Sequence, residues 1–204
     1  QVVAPGGQIP IAEIARTWYR RPQDLPLGVD PQGLEITAGY KADRDDGTFS
    51  YAAHAAVVAV EPDSGNVEIL DYVIVEDGGV LINPMIVDGQ VLGGAAQGIG
   101  TALYEEMPFD ENGQPLASTL ADYLLPGATE VPDIQIEHME TPSPYSYFGQ
   151  KGIGEGGAIG SVAAVCNAVN DALRKLGAEV RTTPMTPVRI LAAIETATSA
   201  TKVV

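Results

Sequence analysis

The sequence "NPMIVDGQVLGGAAQGIGTAL", residues 83–103, predicts the central element of the fold. Asn83 is a good N-cap residue, and Pro84 suits the first helical position, where its missing N–H costs no hydrogen bond. The residues that follow are apolar nearly all round the helix. A helix of that kind is normally buried, so the stretch predicts a buried helix from Pro84 to Leu103.

Glycines are frequent in this helix, at Gly89, Gly93, Gly94, Gly98 and Gly100. Each costs about 0.5–1 kcal/mol relative to alanine, so something must approach the backbone closely enough to offset that cost. Four residues project within about 80° of one another, namely Gly89, Gly93, Gln97 and Gly100. One amide thus stands on a face otherwise bare of side chains. Two interpretations stay open: another helix packs there around a hydrogen-bonded glutamine, or a flat, hydrogen-bonding ligand lies on the face.

Strand patterns flank the helix on both sides. "TFSYAAHAAVVAVE" (residues 48–61) and "VEILDYVIVED" (67–77) predict two long strands, joined by a hairpin turn at "PDSGN". "LEITAGY" (34–40) has apolar side chains at alternate positions, which predicts an earlier strand. "DIQIEHME" (133–140) predicts another short strand later in the chain.

Three further helices are predicted. "IPIAEIARTWYRR" (residues 9–21) has the apolar spacing of a short amphipathic helix. A longer helix is predicted over 156–176 with Gly177 as its C-cap, and a last one over 187–196 with Thr186 as its N-cap. The apolar stripe of the 156–176 helix is predicted to comprise Ile159, Val162, Ala163, Cys166, Val169 and Leu173.

These elements indicate an α+β fold, because hairpins and separate helices occur without regular strand–helix alternation. We expect mixed or antiparallel sheet hairpins, a buried glycine-rich helix and C-terminal helices. The 204 residues are enough for one domain with a real core, so residues 1–204 are predicted to form a single domain.

Composition excludes several classes of function. With 27 acidic and 11 basic residues the net charge is −16, which nucleic acids and anionic membranes would repel. The single cysteine, Cys166, excludes an intrachain disulfide and any zinc or iron–sulfur centre built by this chain alone, and is predicted to be a buried structural thiol. His54 and His138 lie in separate strand patterns and are predicted to be half-buried sheet residues rather than metal ligands. No apolar run reaches the roughly 18 residues of a membrane span.

A glycine-rich loop, "GIGEGG" at residues 152–157, allows three interpretations. It matches the dinucleotide-binding pattern, but "TPSPYSYFGQK" (141–151) before it is not a buried strand, and Glu155 would face a pyrophosphate. Alternatively, Glu155 is a catalytic base: the helix N-terminus favours its charged form, while burial in an apolar loop keeps it basic. The third interpretation is a simple helix cap. Chemistry alone leaves base and cap open.

Three motifs together resemble a known family. The motifs are "TFSYAAHAAVVAVEPDSGNVEILDYVIVEDGG", "INPMIVDGQVLGGAAQGIGTALYEE" and "TPSP…GQKGIGEGG…NAVNDAL". They closely resemble the C-terminal part of the molybdopterin-binding large subunit of the molybdenum hydroxylases, the family of xanthine dehydrogenase, aldehyde oxidase and aerobic carbon monoxide dehydrogenase. The resemblance spans nearly the whole chain in the family's order.

The resemblance implies a set of site residues. Glu155 corresponds to the family's active-site base, and Gln97, in a Q-G step with Gly98, corresponds to a glutamine that contacts the molybdopterin. Lys151, Gly152, Ile153 and Gly154 would line the metal's edge. Molybdenum would be held by the pterin dithiolene, with no ligand from the protein. The implied cofactor is a molybdopterin-type molybdenum cofactor, with the cytosine dinucleotide as its expected form.

The resemblance also implies partners, because the family subunit is several times longer than this chain. We expect the rest of the molybdenum subunit, an iron–sulfur subunit and an FAD subunit to accompany it in a cytoplasmic hetero-oligomer. The complex would oxidise an electrophilic carbon of an aldehyde, N-heterocycle, purine or carbon monoxide with water-derived oxygen. Asp77-Gly78-Gly79 departs from the family's frequent Asp-Cys-Gly. The alternative is a non-catalytic assembly or scaffold subunit that retains the family sequence.

Overall fold

A computed structural model describes residues 1–30, 32–41 and 48–201. The chain divides into two compact units, of which the first is Gln1–Lys41. In this unit, β1 (Val2–Ala4) and β2 (Gly7–Ile9) form a small antiparallel hairpin that the sequence patterns did not indicate. The predicted amphipathic helix is confirmed as α1 (Ile11–Arg20) and is followed by a 3-10 turn.

The strand predicted over residues 34–40 is wrong. The backbone there adopts no regular structure, and the side chains of Leu34, Ile36 and Tyr40 are exposed. A stretch with an alternating pattern forms a strand only where a neighbouring strand supplies hydrogen bonds. Among the residues that the structure describes, no strand pairs with this stretch. The start of this stretch is instead bound to Tyr19, whose hydroxyl accepts a hydrogen bond from the Leu34 amide at 3.0 Å.

A three-stranded mixed sheet organises the second unit. β3 (Tyr51–Val60) and β4 (Val67–Asp77) form the predicted antiparallel hairpin, and β5 (Ile134–Met139) pairs with β4 in parallel. The strand order is β3–β4–β5, which makes β4 the central strand. The hairpin and the late strand are therefore confirmed.

The central helix is also confirmed. α2 spans Pro84–Leu103, and the Asn83 side chain accepts a hydrogen bond from the Ile86 amide at 3.4 Å. α3 spans Gly156–Leu173 and continues as a 3-10 turn to Gly177, whose φ of +68° is the left-handed C-cap conformation. α4 spans Pro187–Thr201 and is five residues longer than predicted. The α+β class follows from these elements and the sheet.

Close contact between α2 and α3 explains part of the glycine content. A Cβ at Gly94 would lie 2.8 Å from the Ala158 nitrogen, and one at Gly98 would overlap the Ser161 side chain. A Cβ at Gly157 would overlap the Val91 carbonyl. Helix packing therefore explains Gly94 and Gly98, which lie outside the face for which the two interpretations were proposed.

The predicted apolar stripe of α3 is partly confirmed: Val169 and Leu173 are buried, and Val162 and Cys166 pack against the core. The buried residues recur every fourth position and are Gly157, Ser161, Val165, Val169 and Leu173. Ile159 is 77% exposed. Since α3 is apolar on most sides, periodicity could not select the buried face. Gly157 and Ser161 are buried in the first half of the helix because small residues let α2 approach, and Val165, Val169 and Leu173 fill the core further along.

The core lies where the sheet, α2 and α3 meet. Its fully buried large side chains include Tyr72, Ile74, Val91, Ile99, Val165 and Leu173. His54 and His138 lie in strands and are half-buried, as predicted. The His54 Nδ1 atom is 3.1 Å from the Tyr72 hydroxyl, and burial lowers the pKa of His54 and raises that of Tyr72 to about 12.

Cys166 is a free, half-buried thiol whose pKa is raised by burial. Within the described ranges, no cluster of three or more potential metal-binding side chains occurs, and no helix is long and apolar enough to cross a membrane.

Candidate functional site

Backbone hydrogen bonds fix the base of the glycine-rich loop. The Lys151 amide donates to the Gly78 carbonyl at 2.8 Å, and the Val80 amide donates to the Gly149 carbonyl at 3.1 Å. Gly79, with φ +66°, passes so close to Gly149 that a Cβ would overlap its carbonyl. The segment before α3 is thereby attached to the end of β4, where the chain turns towards α2.

A buried ion pair reinforces the same junction. The Lys151 ammonium lies 3.0 Å from an Asp77 carboxylate oxygen and 5.0 Å from the centre of the Tyr51 ring. The side chains of Lys151 and Asp77 are only 7% and 0% exposed. Burial acts to raise the pKa of Asp77, but the Thr141 hydroxyl, the Lys151 ammonium and the Gly79 amide outweigh it and hold that pKa well below its usual range. Sequence patterns did not reveal this pairing, which commits the Lys151 ammonium to Asp77.

Glu155 occupies the N-cap position of α3 without acting as a cap. Its backbone has φ −116° and ψ 4°, and its side chain accepts no capping hydrogen bond. The carboxylate is exposed and has no hydrogen-bond or ion-pair partner among the described residues. The expected burial in an apolar loop is therefore wrong for this chain by itself, and the simple cap interpretation is wrong as well. An uncommitted carboxylate lies at the positive end of an 18-residue helix.

The glycines beside Glu155 leave its surroundings open. A Cβ at Gly152 or Gly154 would meet no atom within 4 Å. Ile153 is half-buried and packs against the hydrophobic core, so it anchors the loop from the inside. The Gln90 side chain in α2 donates a hydrogen bond to the Gly154 carbonyl at 3.2 Å. Sequence reasoning missed Gln90, although it lies seven residues before Gln97 and therefore on the same face of α2.

The bare face of α2 is open to a ligand. Gly89 and Gly93 are exposed, and a Cβ at either would meet no atom within 4 Å. Gln97 is exposed, and its side-chain amide has no hydrogen-bond partner in the part of the chain that the structure describes. Gly100 was predicted on this face but is buried, since a Cβ there would overlap the Glu105 carboxylate. At Gly89 and Gly93 this face therefore packs against no described residue, and a ligand on it stays a prediction.

These features fit a flat heterocycle with polar edges. Bare backbone at Gly89 and Gly93 lets a ring approach closely, and the Gln97 amide can both donate and accept hydrogen bonds. A groove beside Gln97 is lined by Glu105, Tyr123, Leu125 and Pro126. Gly98 faces α3 instead, so its contact with a cofactor stays a prediction.

Comparisons with known proteins identify the relatives of this chain. The family model of the molybdopterin cofactor-binding domain matches residues 1–132. The chain is 40% identical over 190 residues to the nicotine 6-hydroxylase large subunit of Paenarthrobacter nicotinovorans, covering 93% of this chain and 23% of that protein. It is 36% identical over 180 residues to the carbon monoxide dehydrogenase large chain of Hydrogenophaga pseudoflava, covering 88% of this chain and 22% of that protein.

Solved structures contain the same fold. Quinoline 2-oxidoreductase from Pseudomonas putida 86 matches with a TM-score of 0.79 and 44% identity, covering 92% of this chain and 23% of that chain. The chain thus spans less than a quarter of the length of these relatives. Because the family model covers most of the chain and the relatives match nearly all of it, the chain belongs to the family of molybdopterin-binding subunits of the molybdenum hydroxylases.

Proposed function

We propose that residues 1–204 are the C-terminal lobe of a molybdenum-binding subunit and that Glu155 is its active-site base. In this role the Glu155 carboxylate accepts a proton when water-derived oxygen is transferred to an electrophilic carbon of the substrate. When bound, the molybdenum cofactor supplies oxygen transfer and takes up two electrons. One observation carries the proposal: the Glu155 carboxylate is free of partners among the described residues, at the positive end of α3, directly after two glycines, Gly152 and Gly154, that leave space.

The surrounding residues suit that role because they hold the loop without engaging the carboxylate. The Lys151–Asp77 ion pair fixes the start of the loop, and the Gln90 amide fixes it at Gly154. A general base must be held within hydrogen-bonding reach of the proton it accepts, and a small misplacement costs much of the rate. These two contacts hold the backbone on the N-terminal side of Glu155 and leave its carboxylate free, which supports the proposed role.

The cofactor proposal uses the open face of α2 and the loop. Gln97 and Gly98 would contact the pterin of a molybdopterin cofactor, with the cytosine dinucleotide as its form. Lys151, Gly152, Ile153 and Gly154 would line the metal's edge. For Lys151 and Ile153 the available groups are backbone atoms, because their side chains are held by Asp77 and by the core.

Partners follow from the length of the relatives. We propose that the rest of the molybdenum subunit completes the pocket and that iron–sulfur and FAD subunits carry the electrons away in a cytoplasmic hetero-oligomer. Support comes from the relatives, which are named as a large subunit and a large chain.

The substrate class to test first is the aromatic N-heterocycles. Identity is 40% and 44% to the proteins named for nicotine and quinoline, against 36% to the carbon monoxide dehydrogenase large chain. Aldehydes, purines and carbon monoxide are the other substrates for the same assay.

Glu155→Gln in the assembled enzyme tests the base assignment. We expect turnover to fall by about 10²–10⁴-fold, the range that general acid–base catalysis contributes, with the molybdenum content unchanged by elemental analysis. Glu68→Gln, at an exposed position in β4, is the matched control and should keep full turnover. Normal turnover in Glu155→Gln would refute the assignment. A complex that assembles without molybdenum in the wild type would instead support the assembly-subunit alternative.

A further inference from the structure

A buried carboxyl group lies directly beneath the first turn of α3. Glu76, at the end of β4, is 1% exposed, and neither of its side-chain oxygens has a hydrogen-bond partner among the described residues. A Cβ at Gly156, the first residue of α3, would lie 3.3 Å from Glu76 Oε2. Buried polar atoms are nearly always hydrogen-bonded, so a buried carboxyl whose Oε2 lies beside Gly156 without a hydrogen bond points to a role beyond packing.

His138 and Asp88 hold Glu76 from the other side. His138 pairs with Glu76 across β4 and β5, and its Nδ1 atom lies 3.2 Å from Glu76 Oε1, although the N–H is not aligned for a hydrogen bond. The other ring nitrogen, Nε2, lies 2.7 Å from an Asp88 carboxylate oxygen in α2. The row Asp88–His138–Glu76 therefore connects α2, the sheet and the first turn of α3.

The space beside Glu76 explains why the first turn of α3 needs this support. A cavity of about 110 Å³ lies between β3, the end of β4 and α3, with Tyr51, Glu76, Ile153 and Gly156 among its walls. Beside this space, the Ile153 and Glu76 side chains are the nearest neighbours of a Cβ at Gly156, and Glu76 is the polar one of the two.

The start of α3 also lacks a cap from its own N-cap residue. The first four amides of a helix have no partners within the helix; at this start, backbone carbonyls accept from Gly156 at 3.3 Å and from Ala158 at 2.9 Å, and a side-chain acceptor can satisfy a further amide. The Glu155 side chain does not do so. The Glu76 carboxyl approaches the same helix start from the end of β4, next to Gly156.

We propose that Glu76 is a positioning residue for the Glu155 loop, which it supports through Gly156, and that His138 and Asp88 hold Glu76 in place. This inference rests on the proposed role of Glu155 as the active-site base. Burial raises the pKa of Glu76, and the neighbouring His138 opposes only part of that shift.

Two substitutions of Glu76 in the assembled enzyme separate polarity from volume. Glu76→Gln keeps the length and a neutral polar end, and kcat should stay within about threefold of wild type. Glu76→Leu fills the space without a polar end, and kcat should fall by about tenfold to a hundredfold with KM little changed, the cost of a displaced catalytic group. Glu68→Leu in the same strand is the control and should leave both constants unchanged.

Hydrogen–deuterium exchange supplies a readout that does not depend on turnover. The amides of residues 156–159 should exchange faster in Glu76→Leu than in wild type and Glu76→Gln, while those of the middle of α3 stay unchanged. If Glu76→Leu does not assemble, Asp88→Asn takes its place: its side chain is 49% exposed, and the same two readouts should move in the same direction by smaller factors.

Parallel measurement of Glu155→Gln keeps the two ideas distinguishable. If Glu155→Gln retains turnover, the proposed function fails whatever the Glu76 variants do. If Glu155→Gln loses turnover while Glu76→Leu keeps normal kcat, the positioning role is overturned. Slower turnover in Glu76→Leu with unchanged exchange at residues 156–159 would overturn it as well, because the effect would not pass through the first turn of α3.

Discussion

Lys151→Met should destabilise the protein strongly, because it leaves the Asp77 carboxylate buried without its cation. The two charged atoms are 3.0 Å apart, and the side chains are 7% and 0% exposed. At an effective dielectric constant of about 20, unit charges at that distance attract each other by about 5.5 kcal/mol, from which the cost of desolvation must be subtracted. Removal of one partner from a buried pair costs about 3–5 kcal/mol, so we expect a loss of that size.

Urea unfolding of the purified chain, followed by far-ultraviolet circular dichroism, measures the loss as a change in the free energy of unfolding. A single domain is stable by only about 5–15 kcal/mol, so the midpoint should move far towards low urea. The control is Arg174→Met, which breaks a 2.7 Å ion pair with Asp171 whose side chains are 79% and 65% exposed. Exposed pairs contribute about 1 kcal/mol or less.

The double variant Asp77→Leu with Lys151→Met completes the test. Replacing both charges with apolar groups removes the unpaired ion, so the double variant should be more stable than Lys151→Met alone. If Lys151→Met loses no more stability than Arg174→Met, the ion pair does not hold the loop and the reasoning is refuted.

Two further predictions concern acid stability and the two faces of α2. The pKa of Asp77 is lower in the folded protein than in the unfolded chain. The contribution of Asp77 to the free energy of unfolding is therefore complete above about pH 4 and is lost as the pH falls further. Urea midpoints measured from pH 6 downwards should decline less steeply in Asp77→Asn than in wild type. Gly157→Ala should lower the urea midpoint markedly, because the new Cβ overlaps the Val91 carbonyl. Gly93→Ala meets no atom within 4 Å and should leave the urea midpoint unchanged or higher. Gly93→Ala should also reduce the molybdenum content of the assembled enzyme. Equal urea midpoints for the two alanine variants would contradict the assignment of one face to helix packing and the other to a ligand.

Local signals in the sequence predicted the elements whose boundaries depend on nearby residues. Asn83 and Pro84 mark the start of α2 because capping and the fixed proline φ act within one turn. Gly177 marks the end of the α3 region because the left-handed conformation suits a residue without a side chain. Family resemblance directed attention to Glu155 and Gln97, and both are exposed with free polar groups in the structure.

Long-range pairing was beyond those signals. Lys151 and Asp77 are 74 residues apart, and Gln90 and Gly154 are 64 apart, so no spacing rule connects them. The same limit explains why Ile159 was wrongly placed in the apolar stripe of α3 and why the contact of Glu76 with the start of that helix was missed.

The sequence by itself determined where the main helices and the hairpin of this protein form, since caps, turns and apolar patterns act over a few residues. Only the tertiary structure decided which face of each glycine-rich helix is packed and which is open, and which buried charges meet. A glycine has the same local preference in both settings, and a carboxylate is committed or free only according to what the folded chain brings beside it.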